Sequence, residues 1–277
     1  MLTPDSIEQL GYSEIVGIVR ERNRPSGGLN TINTAITFGR LTRDMKVLEV
    51  GCNTGFTSVN LSLLSGCEVV GVDINAESIS EARRYSRLMG TDSRTRFQIG
   101  DATSLPFPDN AFDFVWCSNV TAFIEDKNQA IKEYLRVLRL HGTLAVVPIY
   151  YRIQPPDSIV AEVGKAISAS LSITSKEKWI QIFKTTATSI GYALELYHHS
   201  DYAYHDRTEV IEEWVQRVCD KPHMQQYSME VREAIKCRLT YFADLFNRNL
   251  RYCGFSIFLF QLRKMADEME LFYAYHI

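Results

Sequence analysis

Short β-branched runs alternate with helical segments between residues 45 and 147, and this rhythm restricts the fold more than any other feature. The runs are apolar on both faces, as is typical of parallel strands that helices cover on both sides. Strands are predicted at residues 47–50, 69–72, 96–99, 112–117 and 143–147, with helices at 57–65, 76–89 and 127–138. Strands and helices in this order require βαβ crossovers, so the sequence predicts an α/β fold with a doubly wound, mostly parallel sheet.

The regions on either side are predicted to be mainly helical. Residues 7–22 and 29–41 have helical spacing around a loop. Beyond residue 147, helices are predicted at 159–171, 176–190, 209–219 and 228–250, and strands at 193–202 and 255–262. We therefore expect an N-terminal helical cap at 1–40, a Rossmann-like domain at 41–206 and 252–264, a helical insertion at 207–251 between the last two strands, and a C-terminal tail at 265–277.

The turn that follows the first strand carries two glycines, with an acidic residue before them. Gly51 and Gly55 allow backbone conformations and close approaches that a Cβ atom would block, and Asn53 between them tolerates left-handed backbone. The turn lacks the lysine of a phosphate-binding loop and the G-x-G-x-x-G spacing of a dinucleotide site. Glu49, on the strand itself, disfavours a pyrophosphate but attracts a cationic ligand.

Two further carboxylates follow the next strands, at the edge of the sheet where open α/β folds bind ligands. Asp73 can accept hydrogen bonds from both hydroxyls of a ribose, and Asp101 can accept one from an adenine amino group. Ile74 and the residues after Asp101, beginning with Ala102, would flank the ring. The alternative for Asp101 is a turn carboxylate that accepts hydrogen bonds from its own backbone. With Glu49, these acids describe a cationic nucleoside without phosphates.

On these residues the sequence resembles the class I S-adenosylmethionine-dependent methyltransferases of the small-molecule type, over about residues 41–147. The family's acid and glycine-rich turn match Glu49, Gly51 and Gly55, its ribose-binding acid matches Asp73, and its adenine-contacting acid matches Asp101. The resemblance implies a Rossmann-like methyltransferase fold of seven strands with the last antiparallel. It also implies S-adenosyl-L-methionine as the cofactor and methyl transfer by in-line displacement.

Other positions extend this pattern or depart from it. The loop at residues 24–29, which includes Gly28, resembles a segment that closes over the methionine end of the cofactor in some members. Asn53 replaces the usual middle glycine, so we expect the amino-acid part of the cofactor to be held differently. Asn119 follows the fourth strand either as a cofactor contact or as a satisfied strand end. Residues 118–121 are not the Asn-Pro-Pro-Tyr of many enzymes that methylate amide or nucleobase nitrogens.

The candidates for the acceptor site are aromatic and basic residues near the end of the sheet. They are Tyr150, Tyr151 and Arg152 after the fifth strand, Tyr202 at the end of the sixth, and Trp214 on the predicted insertion. For the aromatic residues the alternative is packing in the core, and for the insertion it is a role other than a substrate lid. His199 and Tyr150 are the candidates for a general base, although unprotonated amines often need none.

Composition narrows the range of partners. Lys and Arg total 30 against 33 for Asp and Glu, so the basic excess of a nucleic-acid binder is not expected. The strongest apolar run, residues 255–260, is too short to cross a bilayer, and no secretory signal is visible. The six cysteines have no C-x-x-C pair and no zinc-ligand spacing. We therefore expect a cytoplasmic enzyme, a monomer or a homodimer, with a small-molecule acceptor and with no metal, membrane or nucleic-acid partner.

Two other functions stay open at this point. A nicotinamide-dependent oxidoreductase uses a similar sheet, although the missing G-x-G-x-x-G and the acid Glu49 count against it. A protein that binds S-adenosylmethionine without catalysis, as a regulatory or partner subunit, would share the same cofactor residues. A comparison of S-adenosylhomocysteine binding with NADH binding distinguishes the oxidoreductase from the methyltransferase. Detection of a methylated product distinguishes the non-catalytic binding protein from the methyltransferase.

Overall fold

The computed structural model of the protein describes residues 2–167, 174–205 and 207–265. Within these ranges one sheet has eight strands: β1 Lys46–Val50, β2 Glu68–Asp73, β3 Thr95–Ile99, β4 Phe112–Ser118, β5 Leu138–Val147, β6 Ile149–Tyr151, β7 Tyr192–Ala203 and β8 Cys253–Lys264. The order is β3-β2-β1-β4-β5-β8-β6, and β7 also pairs with β8. The pairs among β1–β5 are parallel, whereas β8 is antiparallel to β5, β6 and β7. The predicted doubly wound, mostly parallel fold with an antiparallel last strand is confirmed.

The strand β6 corrects the expected number of seven. Val146 pairs with Phe258 and Ile149 with Phe255, so β5 and β6 follow one continuous register along β8. Pro148 lies between them and has no N–H to donate to the ladder, which is why the strand is interrupted there. The eighth strand is therefore a continuation of β5 beyond a proline, and it carries Tyr150 and Tyr151 into the sheet.

Helices surround the sheet at nearly the predicted positions. They are α1 Pro4–Glu8, α2 Tyr12–Ile18, α3 Leu29–Phe38, α4 Phe56–Ser65, α5 Ala76–Leu88, α6 Val120–Phe123, α7 Lys127–Val137, α8 Asp157–Ala166, α9 Lys176–Ser189, α10 Thr208–Cys219 and α11 Met229–Leu250, with a 3₁₀ turn at Pro222–Gln226. Residues 168–171 of the predicted helix 159–171, and most of the predicted tail, lie outside the described residues. Over the described ranges, every helix is too short or too polar to cross a bilayer.

The single helix predicted at residues 7–22 is wrong, because the structure has two short helices there. Gly11 is the N-cap of α2, and its N–H donates to Glu14 Oε2 at 2.8 Å. This cap starts a new helix at Tyr12 instead of continuing α1. Helical spacing of the apolar residues continues across the break, so periodicity alone could not reveal it.

The two faces of the sheet carry separate apolar cores. One contains Phe114, Trp116 and Ile257 under α3 and α4, and the other contains Phe258 and Phe260 under α7 and α9. Successive residues of β8 alternate between the two cores, because side chains of a strand point alternately to opposite faces. Burial on both faces explains why β8 reads as an unbroken apolar run.

A third core joins the two ends of the chain. Ile7 and Ile15 of the N-terminal helices pack with Val163, Val215 and Phe242 of α8, α10 and α11. We call α1, α2, α8, α10 and α11 the helical layer. The expected division separates residues 1–40 from 207–251, but α1 and α2 share a core with α10 and α11, whereas α3 packs on the sheet.

Polar contacts fasten the same junction. Lys221 Nζ donates to Val19 O and Arg20 O, each at 3.0 Å, and binds Glu21 Oε2 at 2.6 Å. The Arg238 guanidinium donates to Leu10 O at 2.7 Å. These bonds satisfy carbonyls at the ends of α1 and α2 that the short helices leave open.

Candidate functional site

The turn between β1 and α4 is folded tightly against the neighbouring strand. The N–H groups of Gly51 and Cys52 both donate to Val72 O at 2.9 Å. Gly51, Asn53 and Gly55 have φ of 72°, 45° and 82°, in the left-handed region that glycine and asparagine tolerate. The predicted backbone role of these three residues is therefore consistent with the geometry of the turn.

Asp73 is held between this turn and the start of α5. Its Oδ2 accepts the Asn53 N–H at 2.9 Å, and its Oδ1 accepts the Asn75 N–H at 3.0 Å. The side chain is half-buried, and each carboxylate oxygen retains a second lone pair. The structure thus presents an oriented carboxylate at the end of β2 with acceptor capacity left for a ligand.

The loop after β3 has features of the predicted adenine site, and it also has the local hydrogen bonds expected if Asp101 is a turn carboxylate. Asp101 is exposed, and its Oδ1 accepts hydrogen bonds from the N–H and the hydroxyl of Thr103 at 2.8 Å, which lower the pKa of Asp101. Ile74 is 75% exposed, whereas the Ala102 side chain packs in the core and leaves only its backbone for a ligand. Ile99, which is 58% exposed and pairs with Asp73 in the sheet, was not singled out from the sequence. Its position two residues before Asp101 is the signal that could have placed it beside the same site.

Glu49 lies beneath the turn instead of on its surface. The side chain is 4% exposed, and its Oε2 accepts the Ser58 hydroxyl of α4 at 2.5 Å. Burial raises the pKa of Glu49 from 4.5 to about 8, against the opposing effect of the Ser58 and Thr57 hydrogen bonds. A buried carboxyl of this kind is neutral near pH 7 and becomes a carboxylate when a cation approaches.

The raised pKa of Glu49 predicts a pH dependence of stability that Glu49→Gln removes. Above pH 4.5 the folded chain retains a proton that the unfolded chain has lost, so this group's contribution falls as the pH rises towards about 8. The expected slope is about 1.4 kcal/mol per pH unit. Urea unfolding across this window should show a steeper decline for the wild type than for Glu49→Gln. Glu68→Gln, an exposed carboxyl on β2, should keep the wild-type slope; equal slopes for wild type and Glu49→Gln would contradict the assignment.

Asn119 connects the end of β4 to the N-terminal loop. Its Oδ1 accepts the Ile149 N–H at 3.0 Å, and its Nδ2 donates to Ser26 Oγ at 3.3 Å. Tyr204, just after β7, donates to the same Ser26 Oγ at 2.6 Å. Asn119 therefore has the bonds of a satisfied strand end, and it lies next to the loop that contains Gly28, where φ is 59°. Ser26 and Tyr204 were missed as tethers because they are far from Asn119 in sequence.

Residues 22–28 contact the helices α5 and α4 beside the glycine turn. The Arg22 guanidinium lies 3.6 Å from the ring centroid of Tyr85 on α5, and the Arg24 guanidinium lies 5.2 Å from that of Phe56 at the start of α4. Cations over aromatic faces contribute attraction at such distances. Residues 22–28 thus run from the helical layer to the glycine turn and on to Asn119.

Four of the five predicted acceptor residues line one cleft. It has a volume of about 540 Å³ and is lined by Tyr150, Tyr151, Arg152, Ser175, Lys176, Glu177, Asp201, Tyr202 and Ala203. The prediction for Trp214 is not supported by its position, since this side chain packs against the apolar core of the helical layer. The sequence shows that α10 is amphipathic but not which partner covers its apolar face.

A chain of hydrogen bonds runs along the wall of this cleft from buried Tyr150 and Ser256 to exposed Asp201. The Tyr150 hydroxyl lies 2.9 Å from Ser256 Oγ, Ser256 donates to Asp201 Oδ1 at 2.6 Å, and Lys176 Nζ donates to Asp201 Oδ2 at 2.7 Å. Burial opposes ionisation of Asp201, but the bonds from Lys176 and Ser256 outweigh it and lower its pKa. The Tyr150 hydroxyl is committed to this chain. His199, the other candidate base, is exposed two residues before Asp201 and so shares its face of β7.

The described residues contain no group of three or more His, Cys, Asp or Glu side chains placed to hold a metal ion.

Comparison with known proteins agrees with this geometry. A family described as a methyltransferase domain matches residues 48–146. An uncharacterized protein of Haemophilus influenzae is 30% identical over 179 residues, which are 64% of this chain and 71% of that protein. The 27-O-demethylrifamycin SV methyltransferase of Amycolatopsis mediterranei is 29% identical over 133 residues, 46% of this chain and 49% of that enzyme. The chain thus spans about half of the second relative.

Solved structures share the fold. The MccD protein superposes with a TM-score of 0.71 at 22% identity, over 87% of this chain and 99% of that one. Geranyl diphosphate methyltransferase in complex with SAM superposes with a TM-score of 0.59 at 15% identity, over 84% of this chain and 85% of that one. The matched domain, the relatives and the carboxylates at successive strand ends agree, and the chain belongs to the class I S-adenosylmethionine-dependent methyltransferases.

Proposed function

We propose that this chain transfers the methyl group of S-adenosylmethionine to a small-molecule acceptor by in-line displacement. The observation that carries the proposal is Asp73, a carboxylate at the end of β2 whose two oxygens are oriented by the Asn53 and Asn75 N–H groups. The net charge of −3 disfavours a polyanionic acceptor such as a nucleic acid. The names of the rifamycin and geranyl diphosphate methyltransferases, which are relatives in sequence or fold, describe small acceptors.

The residues present fit the cofactor in their chemistry. Asp73 would hold the ribose hydroxyls and Asp101 the adenine amino group, because both are carboxylates with accessible acceptor oxygens. Exposed Ile74 and the backbone of Ala102 would border the adenine ring. The amino-acid part is assigned to the turn and its surroundings: Glu49, Gly51, Asn53, Gly55, Asn119 and Gly28.

When bound, the cofactor supplies a methyl group that is already activated by the positive sulfur. The protein then has to align the acceptor and exclude water, and alignment alone accounts for much of the rate of such a reaction. Residues 22–28 are placed to cover the site, since Ser26 is tied to both Asn119 and Tyr204. A phenol or carbon acid as acceptor would require a base, for which exposed His199 is the remaining candidate, whereas an unprotonated amine would not.

The cytoplasm is the compartment that we propose for this reaction. All six cysteines are free in the described structure, although Cys237 is exposed. Unpaired thiols of this number are typical of proteins in a reducing compartment. The assembly, as a monomer or as a homodimer, would be established by the mass of the protein in solution.

A ligand comparison tests the proposed function. S-adenosylhomocysteine at a hundredfold excess over its dissociation constant should stabilise the fold by about 2.7 kcal/mol, and NADH should not. Labelled S-adenosylmethionine with a small-molecule extract should then yield a labelled product. Stabilisation by NADH alone would favour an oxidoreductase. Binding of S-adenosylhomocysteine without any labelled product would favour a cofactor-binding partner protein.

A further inference from the structure

We infer that Arg152 anchors a carboxylate of the methyl acceptor in the cleft beside Tyr150. The inference rests on the proposed function and adds the chemical class of the acceptor, a small organic acid. Arg152 lies on the short segment that continues from β6, three residues after Ile149, whose N–H is bound by Asn119. Tyr150 of the cleft is therefore one residue along the chain from the contact with Asn119 at the end of β4, where the methionine part of the cofactor is proposed to lie.

The backbone and the stem of Arg152 are held in place, but no ion pair with a described residue neutralises its guanidinium. Its backbone N–H donates to Tyr252 O at 2.8 Å, and its stem lies across Gly254. A Cβ at Gly254 would be 2.6 Å from Arg152 Cδ and 2.8 Å from the backbone Tyr202 O, so the absence of a side chain at this position leaves the space that the Arg152 stem occupies. Among the described residues, none forms an ion pair or a side-chain hydrogen bond with the Arg152 guanidinium. An arginine held at a cleft with its fork of donors unused is suited to a carboxylate.

The acidic groups of the cleft already have partners. Asp201 receives hydrogen bonds from Lys176 and Ser256, on separate oxygens. The carboxyl of Glu177 is bound by its own N–H and by Ser175 at the start of α9, which lowers its pKa. Lys176 is likewise committed to Asp201. The formal charges of Arg152, Lys176, Asp201 and Glu177 therefore balance, but among the described residues the Arg152 guanidinium is the charged group of the cleft that has no hydrogen-bond partner.

The other walls of the cleft include tyrosine rings, which can pack against a planar organic ligand. The Tyr151 hydroxyl donates to Asn249 Oδ1 at 2.9 Å, which fixes that ring, and the Tyr202 ring stacks on Phe255 with centroids 4.8 Å apart. A volume of about 540 Å³ falls in the range of sites for small organic ligands. Rigid aromatic walls with one charged anchor orient a ligand and leave its other end free to face the cofactor.

Binding of benzoate and of its neutral analogue benzamide tests the anchor. With the protein saturated by S-adenosylhomocysteine, ligand-observed NMR at millimolar concentration should show benzoate bound at least about tenfold more tightly than benzamide. Arg152→Gln should remove this preference, and Arg152→Lys should retain part of it. Arg87→Gln, an exposed arginine at the end of α5, should behave as the wild type.

Three outcomes would overturn the inference: equal binding of benzoate and benzamide, unchanged preference in Arg152→Gln, or no detectable binding of benzoate. The labelled product of the extract reaction provides a second readout, since it should be retained by an anion exchanger. A neutral or cationic product would overturn the inference while the methyltransferase function stood. Failure of S-adenosylhomocysteine to bind would instead refute the proposed function, and with it the assignment of a methyl acceptor to this cleft, whereas the benzoate and product-charge results refute the inference alone.

Discussion

Replacing Asp73 with alanine is expected to weaken the binding of S-adenosylhomocysteine by about two orders of magnitude or more, while the protein stays folded. Two hydrogen bonds to a charged carboxylate would be lost, each of about 1.5–3 kcal/mol. The Asn53 and Asn75 N–H groups, which Asp73 accepts, would also lose the acceptor that orients the turn. Isothermal titration measures the affinity, and urea unfolding shows whether the fold is retained.

Asp113→Ala is the matched control for this experiment. Asp113 is also a strand aspartate that accepts a backbone N–H, from Lys46 at 2.7 Å, and it pairs with Arg139. It lies near the start of β4, at the opposite edge of the sheet from Asp73. This variant should lose about 1–3 kcal/mol of stability without a change in affinity. Wild-type affinity in Asp73→Ala would exclude a ribose-binding role.

Gly51→Ala is expected to destabilise the protein and to weaken cofactor binding together. The residue has φ of 72°, and a Cβ there would lie 2.6 Å from Val120 Cγ2, far inside van der Waals contact. Relief of this clash has to move either α6 or the turn, and movement of the turn displaces the N–H of Asn53 from Asp73. We expect a loss of more than about 2 kcal/mol on chemical unfolding, because steric strain adds to the left-handed backbone penalty.

Gly90→Ala separates the steric clash from the left-handed backbone penalty. Gly90 has φ of 67°, but a Cβ there would meet no atom within 4 Å. This variant should lose only the backbone penalty of about 1–2 kcal/mol and bind S-adenosylhomocysteine normally. Val120→Ala in the Gly51→Ala background should recover part of the loss by removing the clashing methyl groups. If Gly51→Ala and Gly90→Ala were equal in stability and affinity, the close packing of the turn would have no functional consequence.

The cofactor edge could be predicted because its residues are local to their strands. Glu49, Asp73 and Asp101 each stand at or just beyond the end of a strand recognisable from its apolar run, and parallel strands bring their carboxyl ends to one edge. Burial could not be predicted in the same way. Glu49 was expected near the ligand's charge, but its depth, and hence its raised pKa, depends on how α4 packs over it.

The acceptor cleft shows the opposite case. Tyr150, Ser256 and Asp201 form one chain of hydrogen bonds although 106 and 55 positions separate Ser256 from its partners. Ser256 is 0% exposed in an apolar run, where a single polar residue gives no hint of the groups that satisfy it. The position of Trp214 was hidden for a related reason, since an amphipathic helix shows which face is buried but not which element covers that face.

Local sequence patterns were enough to predict the α/β class, most strand and helix positions, and the acidic and glycine residues at the carboxyl ends of the strands. These follow from side-chain periodicity and turn chemistry, which act over a few residues. Three features became visible only in the folded chain: β5 continues past Pro148, α1 and α2 share a core with α10 and α11, and Arg152 has no side-chain partner among the described residues although Asp201 is paired with Lys176. Such features depend on contacts between segments far apart in the chain, and register and packing select those contacts only when the whole sheet is assembled.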